Sequence, residues 1–160
     1  MMLFLAHHGE TVGSEVDPRR PLSDLGQTQV DSLANLAAAR AVRPEAIWHS
    51  GKLRARQTAE AYWRACNPLA GFSATRWMQP DDPLVIADQL EVETRDVLLV
   101  GHMPHLDRLL RRLLGETPDV DCFPQNGLVA IDRTETGWEE RWRLVATREL
   151  AGFSSPKNQS

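Results

Sequence analysis

Cysteine is scarce in this 160-residue chain: only Cys66 and Cys122 occur, with no CxxC pair and no framework of regular spacings. That excludes a disulfide-stapled secreted scaffold and points to a reducing, cytoplasmic setting. Long apolar runs are also missing. The N-terminal run from Met1 to Ala6 is interrupted by His7-His8-Gly9-Glu10, too early for the apolar region of a signal peptide. Nothing approaches the ~20 apolar residues that cross a bilayer. There is no basic excess either: 18 Lys and Arg against 22 Asp and Glu give a formal net charge of −4. That balance argues against nucleic acid or an anionic membrane as a partner held by bulk electrostatics, so any anion bound must meet a local cationic pocket. With 42% hydrophobic and 25% charged residues and no low-complexity stretch, the composition is that of one globular domain. The expected domain spans residues 1–150, enough for one well-buried core, with a polar, frayed tail at 151–160.

What is present reads as strands alternating with helices. Leu3-Phe4-Leu5-Ala6 suits a buried parallel strand. A loop from Thr11 to Pro21 leads to a helix with Ser23 as N-cap, running to about Ala41, with Val30, Leu33, Ala34, Ala37 and Ala41 on one face. Ala46–His49 is the second strand, and Leu53–Cys66 a helix stopped before Asn67-Pro68. Phe72–Met78 alternates like a third strand. Asp82 and Pro83 read as N-cap and first residue of a helix reaching about Glu93. Val97–Val100 is a continuous aliphatic strand. The helix after it, from about Pro104, turns Leu106, Leu109, Leu110 and Leu113 inward and stops at Gly115. Leu128–Asp132 and Trp138–Thr147 form a hairpin around residues 134–137. The pattern predicts an α/β sandwich with a mostly parallel central sheet, whose ligands gather beyond the carboxyl ends of the strands.

Three polar segments sit at such ends: His7-His8-Gly9, Ser50 to Arg54, and Gly101-His102. Taken singly, each is an ordinary loop histidine or a surface arginine. Together they supply what phosphoryl transfer needs. A neutral imidazole can act as nucleophile, and positive groups must face the equatorial oxygens of the transferred group. Arg54 lies in the first turn of a helix, where free N–H groups and the helix dipole already favour an anion and a guanidinium adds a fork of donors. His8 and His102 are the candidate nucleophile and second phosphate partner, and Gly9 would let the backbone pass close to substrate.

Leu5-Ala6-His7-His8-Gly9-Glu10-Thr11 resembles the Arg-His-Gly signature of the histidine phosphatase (phosphoglycerate mutase-like) superfamily. Ser50-Gly51-Lys52-Leu53-Arg54-Ala55-Arg56-Gln57-Thr58-Ala59 resembles its Ser-Pro-x-x-Arg-Ala-x-Gln-Thr-Ala motif, and Val100-Gly101-His102-Met103-Pro104 its Gly-His-x-Pro motif. The short length, Arg20-Pro21-Leu22-Ser23, Gln79-Pro80-Asp81-Asp82-Pro83 and Phe123-Pro124-x-x-Gly127 are similar to the SixA-like phosphohistidine phosphatases. The resemblance implies a three-layer α/β/α fold and a metal-independent, cofactor-free hydrolase. His8 would be phosphorylated, Arg54 would hold the phosphate and His102 would stabilise the transition state. Arg20 is a candidate substrate contact, with plain surface solvation as the other reading. The implied substrate is a phosphorylated protein carrying phosphohistidine, or a small phosphate ester.

Two positions depart from the pattern. Gly51 replaces the usual proline, and His7 stands where the family has an arginine. A histidine there offers one donor per nitrogen and titrates, unperturbed, at about 6.5, so weaker and more pH-dependent phosphate binding is expected. Loss of such a donor costs roughly 10²–10³ in rate. A non-catalytic phosphate- or phosphoprotein-binding module is therefore one alternative. A metal-dependent hydrolase with His7, His8, His102 and His105 as ligands is another, weakened by Arg54 in the same pocket. His105 is expected at the rim or on the helix surface, and His49 near the site or in the core.

Overall fold

The structure, a computed structural model, describes residues 1–115 and 120–147; the tail expected at 151–160 lies outside them. In chain order the elements are β1 (Met2–His7), α1 (Asp24–Ala39), β2 (Ala46–His49), α2 (Leu53–Cys66), β3 (Gly71–Ala74), α3 (Val85–Val92), β4 (Val97–Gly101), α4 (His105–Leu114), β5 (Leu128–Thr134) and β6 (Gly137–Leu144). The strands form one sheet in the order β3-β2-β4-β1-β5-β6. The first four are mutually parallel, and β5 and β6 add antiparallel to the far side of β1.

The period-two alternation of strand side chains divides the apolar residues between two cores. Phe4, Ala6, Ile47, Leu98, Val100, Leu128 and Ala130 face α1 and α2, meeting Val30, Leu33, Ala37, Ala59 and Tyr62. Leu3, Leu5, Val97, Leu99, Val129 and Ile131 face α3 and α4, meeting Ile86, Leu90, Leu106, Leu109 and Leu110. Three layers result. Because both faces are covered, β4 is apolar throughout and buried at every position. Among the described residues no helix is long and apolar enough to cross a membrane.

α1 begins as expected: the Ser23 hydroxyl accepts the Gly26 N–H at 3.0 Å. It ends earlier than the apolar spacing suggests. Ala41 is not on the inward face but exposed, with φ of 60°. Its N–H donates to the Ala38 carbonyl, and the Val42 N–H reaches back to Ala37 at 3.1 Å. This is the Schellman arrangement, with alanine in the left-handed position that glycine usually fills, and it turns Val42 inward.

Two other elements also differ from expectation. The third strand is only Gly71–Ala74, an exposed edge, and Met78 is buried from the loop beyond it. α3 starts at Val85 after Leu84, and Asp82 does not cap it. The Asp82 carboxylate instead accepts the Gln79 N–H at 2.9 Å, closing a turn. Such local side chain–backbone bonds are what let aspartate compete with helix starts.

A left-handed alanine is strained by about 1–2 kcal/mol, partly offset by the greater unfolded freedom of glycine. Ala41→Gly should therefore raise unfolding stability by about 1 kcal/mol, read as a higher denaturant midpoint at unchanged slope.

Candidate active site

β1 and β4 are adjacent, yet the helices that follow them go to opposite faces, α1 to one core and α4 to the other. That divergence opens a crevice at their carboxyl ends. The register places His7 beside Gly101, and the His8 N–H donates to the Gly101 carbonyl at 3.2 Å. The rings of His7 and His8 lie 4.3 Å apart between centroids, and those of His8 and His102 5.1 Å apart. A cavity of about 210 Å³ is lined by His7, His8, Gly9, Arg20 and Asn126, among others. Arg54 is close enough for its charge to depress the pKa of His7, His8 and His102. All six sequence-selected residues thus converge on one site.

Two tautomers follow from the partners. His8 Nδ1 lies 2.8 Å from the Gly9 carbonyl oxygen, which only accepts, so Nδ1 carries the hydrogen and Nε2 a free lone pair. His7 Nδ1 lies 2.8 Å from the Asn126 backbone N–H, so it must accept, leaving Nε2 as the single donor. His102 Nε2 is 2.6 Å from the Ser50 hydroxyl, while its buried Nδ1 has no partner. Burial pushes His7 down to about 3, aided by His8 and Arg54. It takes His8 down to about 4 against the opposing Gly9 bond, and His102 down to about 3. All three are neutral at physiological pH. The titration of His7 near neutrality, expected from its ordinary pKa, does not survive its burial beside other cationic groups.

Arg54 supplies the positive charge. Its Nε is buried without a hydrogen-bond partner, and burial together with Arg20 lowers its pKa. A guanidinium among neutral imidazoles is the group of this site best suited to an anion's oxygens. The helix it opens, α2, has no side-chain cap from Lys52, so its dipole and first N–H groups add to the same field. Arg20 sits at the cavity edge with φ of 47°, its guanidinium donating to Thr11 at 2.8 Å.

Several supporting residues went unselected in the sequence. The Thr58 hydroxyl donates to the Arg54 carbonyl at 2.8 Å and accepts the Gly9 N–H at 3.0 Å, tying the His8 loop to the arginine's helix. The Gln57 side chain accepts the Leu22 N–H at 2.8 Å and anchors the loop that carries Arg20. Asn126, in the turn Pro124–Gly127, clamps the pair: its backbone N–H holds His7, and its side chain donates to the His8 carbonyl at 2.7 Å. The Asn-Gly dipeptide marks a turn, but nothing local reveals what the turn holds.

Three expectations need correction. Gly9 lines the cavity, but its small size is required elsewhere, since a Cβ there would fall 2.6 Å from Val30 of α1. Gly51, expected as the smaller of the two departures and confined to the helix entry, is a larger one: its φ of 91° and its N–H bond to His49 at 3.1 Å both exclude proline. His105 is not on a rim. It is fully buried at the start of α4 and faces the Trp77 and Pro83 carbonyls, though neither ring nitrogen reaches a hydrogen bond of good geometry. Among the described residues no group of three or more His, Cys, Asp or Glu is disposed to hold a metal ion. His49 is buried at the end of β2 against Phe72.

The histidine phosphatase superfamily (branch 1) profile matches residues 3–71. No curated protein matches by sequence. A protein assigned as the phosphohistidine phosphatase SixA of Agrobacterium tumefaciens is 27% identical, with a TM-score of 0.75 over 90% of this chain and 97% of that one. The protein histidine phosphatase SixA complexed with tungstate is 24% identical, with a TM-score of 0.78 over 91% and 97%. A mycobacterial glucosyl-3-phosphoglycerate phosphatase shares the fold at 17% identity, with a TM-score of 0.67 over 91% and 99%. The chain is thus similar to the histidine phosphatase superfamily over residues 3–71, and its fold is the phosphoglycerate mutase-like α/β architecture that the SixA structures share.

The depressed imidazoles also predict a pH dependence of stability. Each is neutral when folded but protonates below about 6.5 when unfolded. Their contribution is complete above that value and is lost as pH falls towards the folded pKa values of about 3 to 4. Tm should fall between pH 7 and 5, and more shallowly in His102→Asn. Parallel slopes for the two proteins would show that His102 titrates normally.

Proposed function

We propose that the chain is a metal-independent phosphatase that hydrolyses a phosphomonoester or phosphoramidate, best a protein phosphohistidine, through a phosphohistidine on His8. The observation that carries this reading is the His8 ring. It is neutral, its Nδ1 hydrogen is committed to Gly9, and its Nε2 lone pair stands free beside an unpartnered arginine. His8 Nε2 attacks phosphorus as the bond to the leaving group breaks, and the electron pair departs with that group. Arg54, the Nε2–H of His7 and the α2 N-terminus bind the equatorial oxygens. His102 joins them if the Ser50 hydroxyl donates to its Nε2 and Nδ1 carries the hydrogen. Water then attacks phosphorus, the P–N bond breaks with its electron pair returning to His8 Nε2, and inorganic phosphate leaves.

Phosphohistidine makes little demand on an acid, because imidazole leaves more readily than an alkoxide. Tungstate in a SixA relative is a tetrahedral oxyanion of the kind such a pocket takes. A phosphate- or phosphoprotein-binding module without turnover is the second reading, favoured by His7, which presents one neutral donor where arginine would present a charged fork.

With EDTA present, wild-type protein should dephosphorylate a phosphohistidine-bearing protein and p-nitrophenyl phosphate, and His8→Ala should do neither. His7→Arg should raise turnover by at least about tenfold, within the roughly 10²–10³ that one transition-state donor supplies. Phosphate binding without turnover or a trapped phosphohistidine would establish the binding module, and sugar phosphates beating phosphohistidine would overturn the substrate.

A further inference from the structure

The larger of the two cavities beside the histidines is not the one that holds His8. It measures about 450 Å³ and is lined by Ser50, Thr75, Arg76, Trp77, Gln79 and Asp82, with Ala74 at its base. It lies past the carboxyl ends of β2 and β3 and borders the histidine cluster at Ser50, whose hydroxyl contacts His102.

The aromatic group in it is Trp77, 42% accessible, held with φ of 67°. A bulky residue in the left-handed region is a true outlier, and such strain persists only where the surroundings fix it. Here they do. The Thr75 N–H donates to the His49 carbonyl at 2.8 Å, Met78 is fully buried, and the Gln79 side-chain amide donates to the Ser50 carbonyl at 2.9 Å. Arg108 adds a bond to the Asp82 carbonyl at 3.2 Å. The indole is thus presented on a rigid loop. Arg76 and Asp82 on the same wall are of opposite sign, so the cavity has no cationic field with which to attract a second phosphate. An aromatic platform in a cavity without a cationic excess matches the face of a flat ring.

We propose that this cavity is the leaving-group subsite, and that it receives the imidazole ring of a phosphohistidine against Trp77. The inference rests on the phosphatase reading but concerns a different set of residues. Phosphoramidate provides the control, since it has the same P–N bond without a ring.

The test compares kcat/KM for phosphohistidine and for phosphoramidate in wild type, Trp77→Ala and Trp77→Phe. The ratio of the two should fall roughly 5- to 10-fold in Trp77→Ala, the scale of one aromatic contact, and largely recover in Trp77→Phe. An unchanged ratio, whether both rates fall together or neither moves, would overturn the proposal. Calorimetry with a stable phosphonate analogue of phosphohistidine, set against inorganic phosphate, separates the two claims. A preference for the analogue that Trp77→Ala abolishes, in a protein without turnover, would sink the enzyme and keep the subsite. No such preference in the wild type would sink the subsite.

Discussion

Hydrogen bonding between β1 and β4 in parallel register sets His7 opposite Gly101, and most of the site's geometry descends from that pairing. It makes His8 and His102 neighbours although 94 positions separate them. The pairing holds because both strands are apolar on both faces, so each is fixed by two cores at once. A one-residue slip would turn every core side chain the wrong way. The helices after the two strands leave on opposite sides, and the gap between them is where the polar chain ends can meet a ligand. Thr58 then adds the third component, since one hydroxyl locks the Gly9 N–H to the helix turn that carries Arg54.

The site is built from groups whose charge has been suppressed. Three imidazoles and a guanidinium share a small, partly buried volume, and four cations there would repel one another strongly. Burial resolves the conflict by keeping the histidines neutral and leaving Arg54 as the charge. A neutral His8 is also what a nucleophile must be. On the proposed function, an arriving phosphate would pair with Arg54, with Arg20 at the cavity edge, and a dianion would pull nearby imidazoles back towards protonation.

Which of these features a sequence shows depends on how local its cause is. β2 and α2 match their expected bounds, because the apolar pattern and the Asn67-Pro68 stop are decided within the segment. His8, Arg54 and His102 were legible because each follows a strand in a recognisable motif. What escaped was set by distant partners. Asp82 looked like a cap until Gln79 took its carboxylate, and His105 looked like a helix-surface residue until the loop 77–83 covered it. Asn126 touches His7 and His8 from 119 and 118 positions away. Trp77 owes its prominence to a backbone angle that no residue preference announces.

His7 illustrates how a single replacement is absorbed. Its Nδ1 accepts the Asn126 N–H, a role arginine cannot fill because guanidinium has no acceptor. With arginine at this position the turn at 124–127 would have to find another partner for that N–H or leave it unsatisfied, at about 1–3 kcal/mol. The opposing effects fall on different quantities. The arginine's gain is made on the phosphoryl oxygens and belongs to the transition state, whereas the lost turn bond weakens the folded chain before any substrate arrives. Histidine here favours a settled β1–turn junction over the strongest grip on phosphate. On the proposed function, that exchange would be tolerable because an imidazole leaving group is itself a good one.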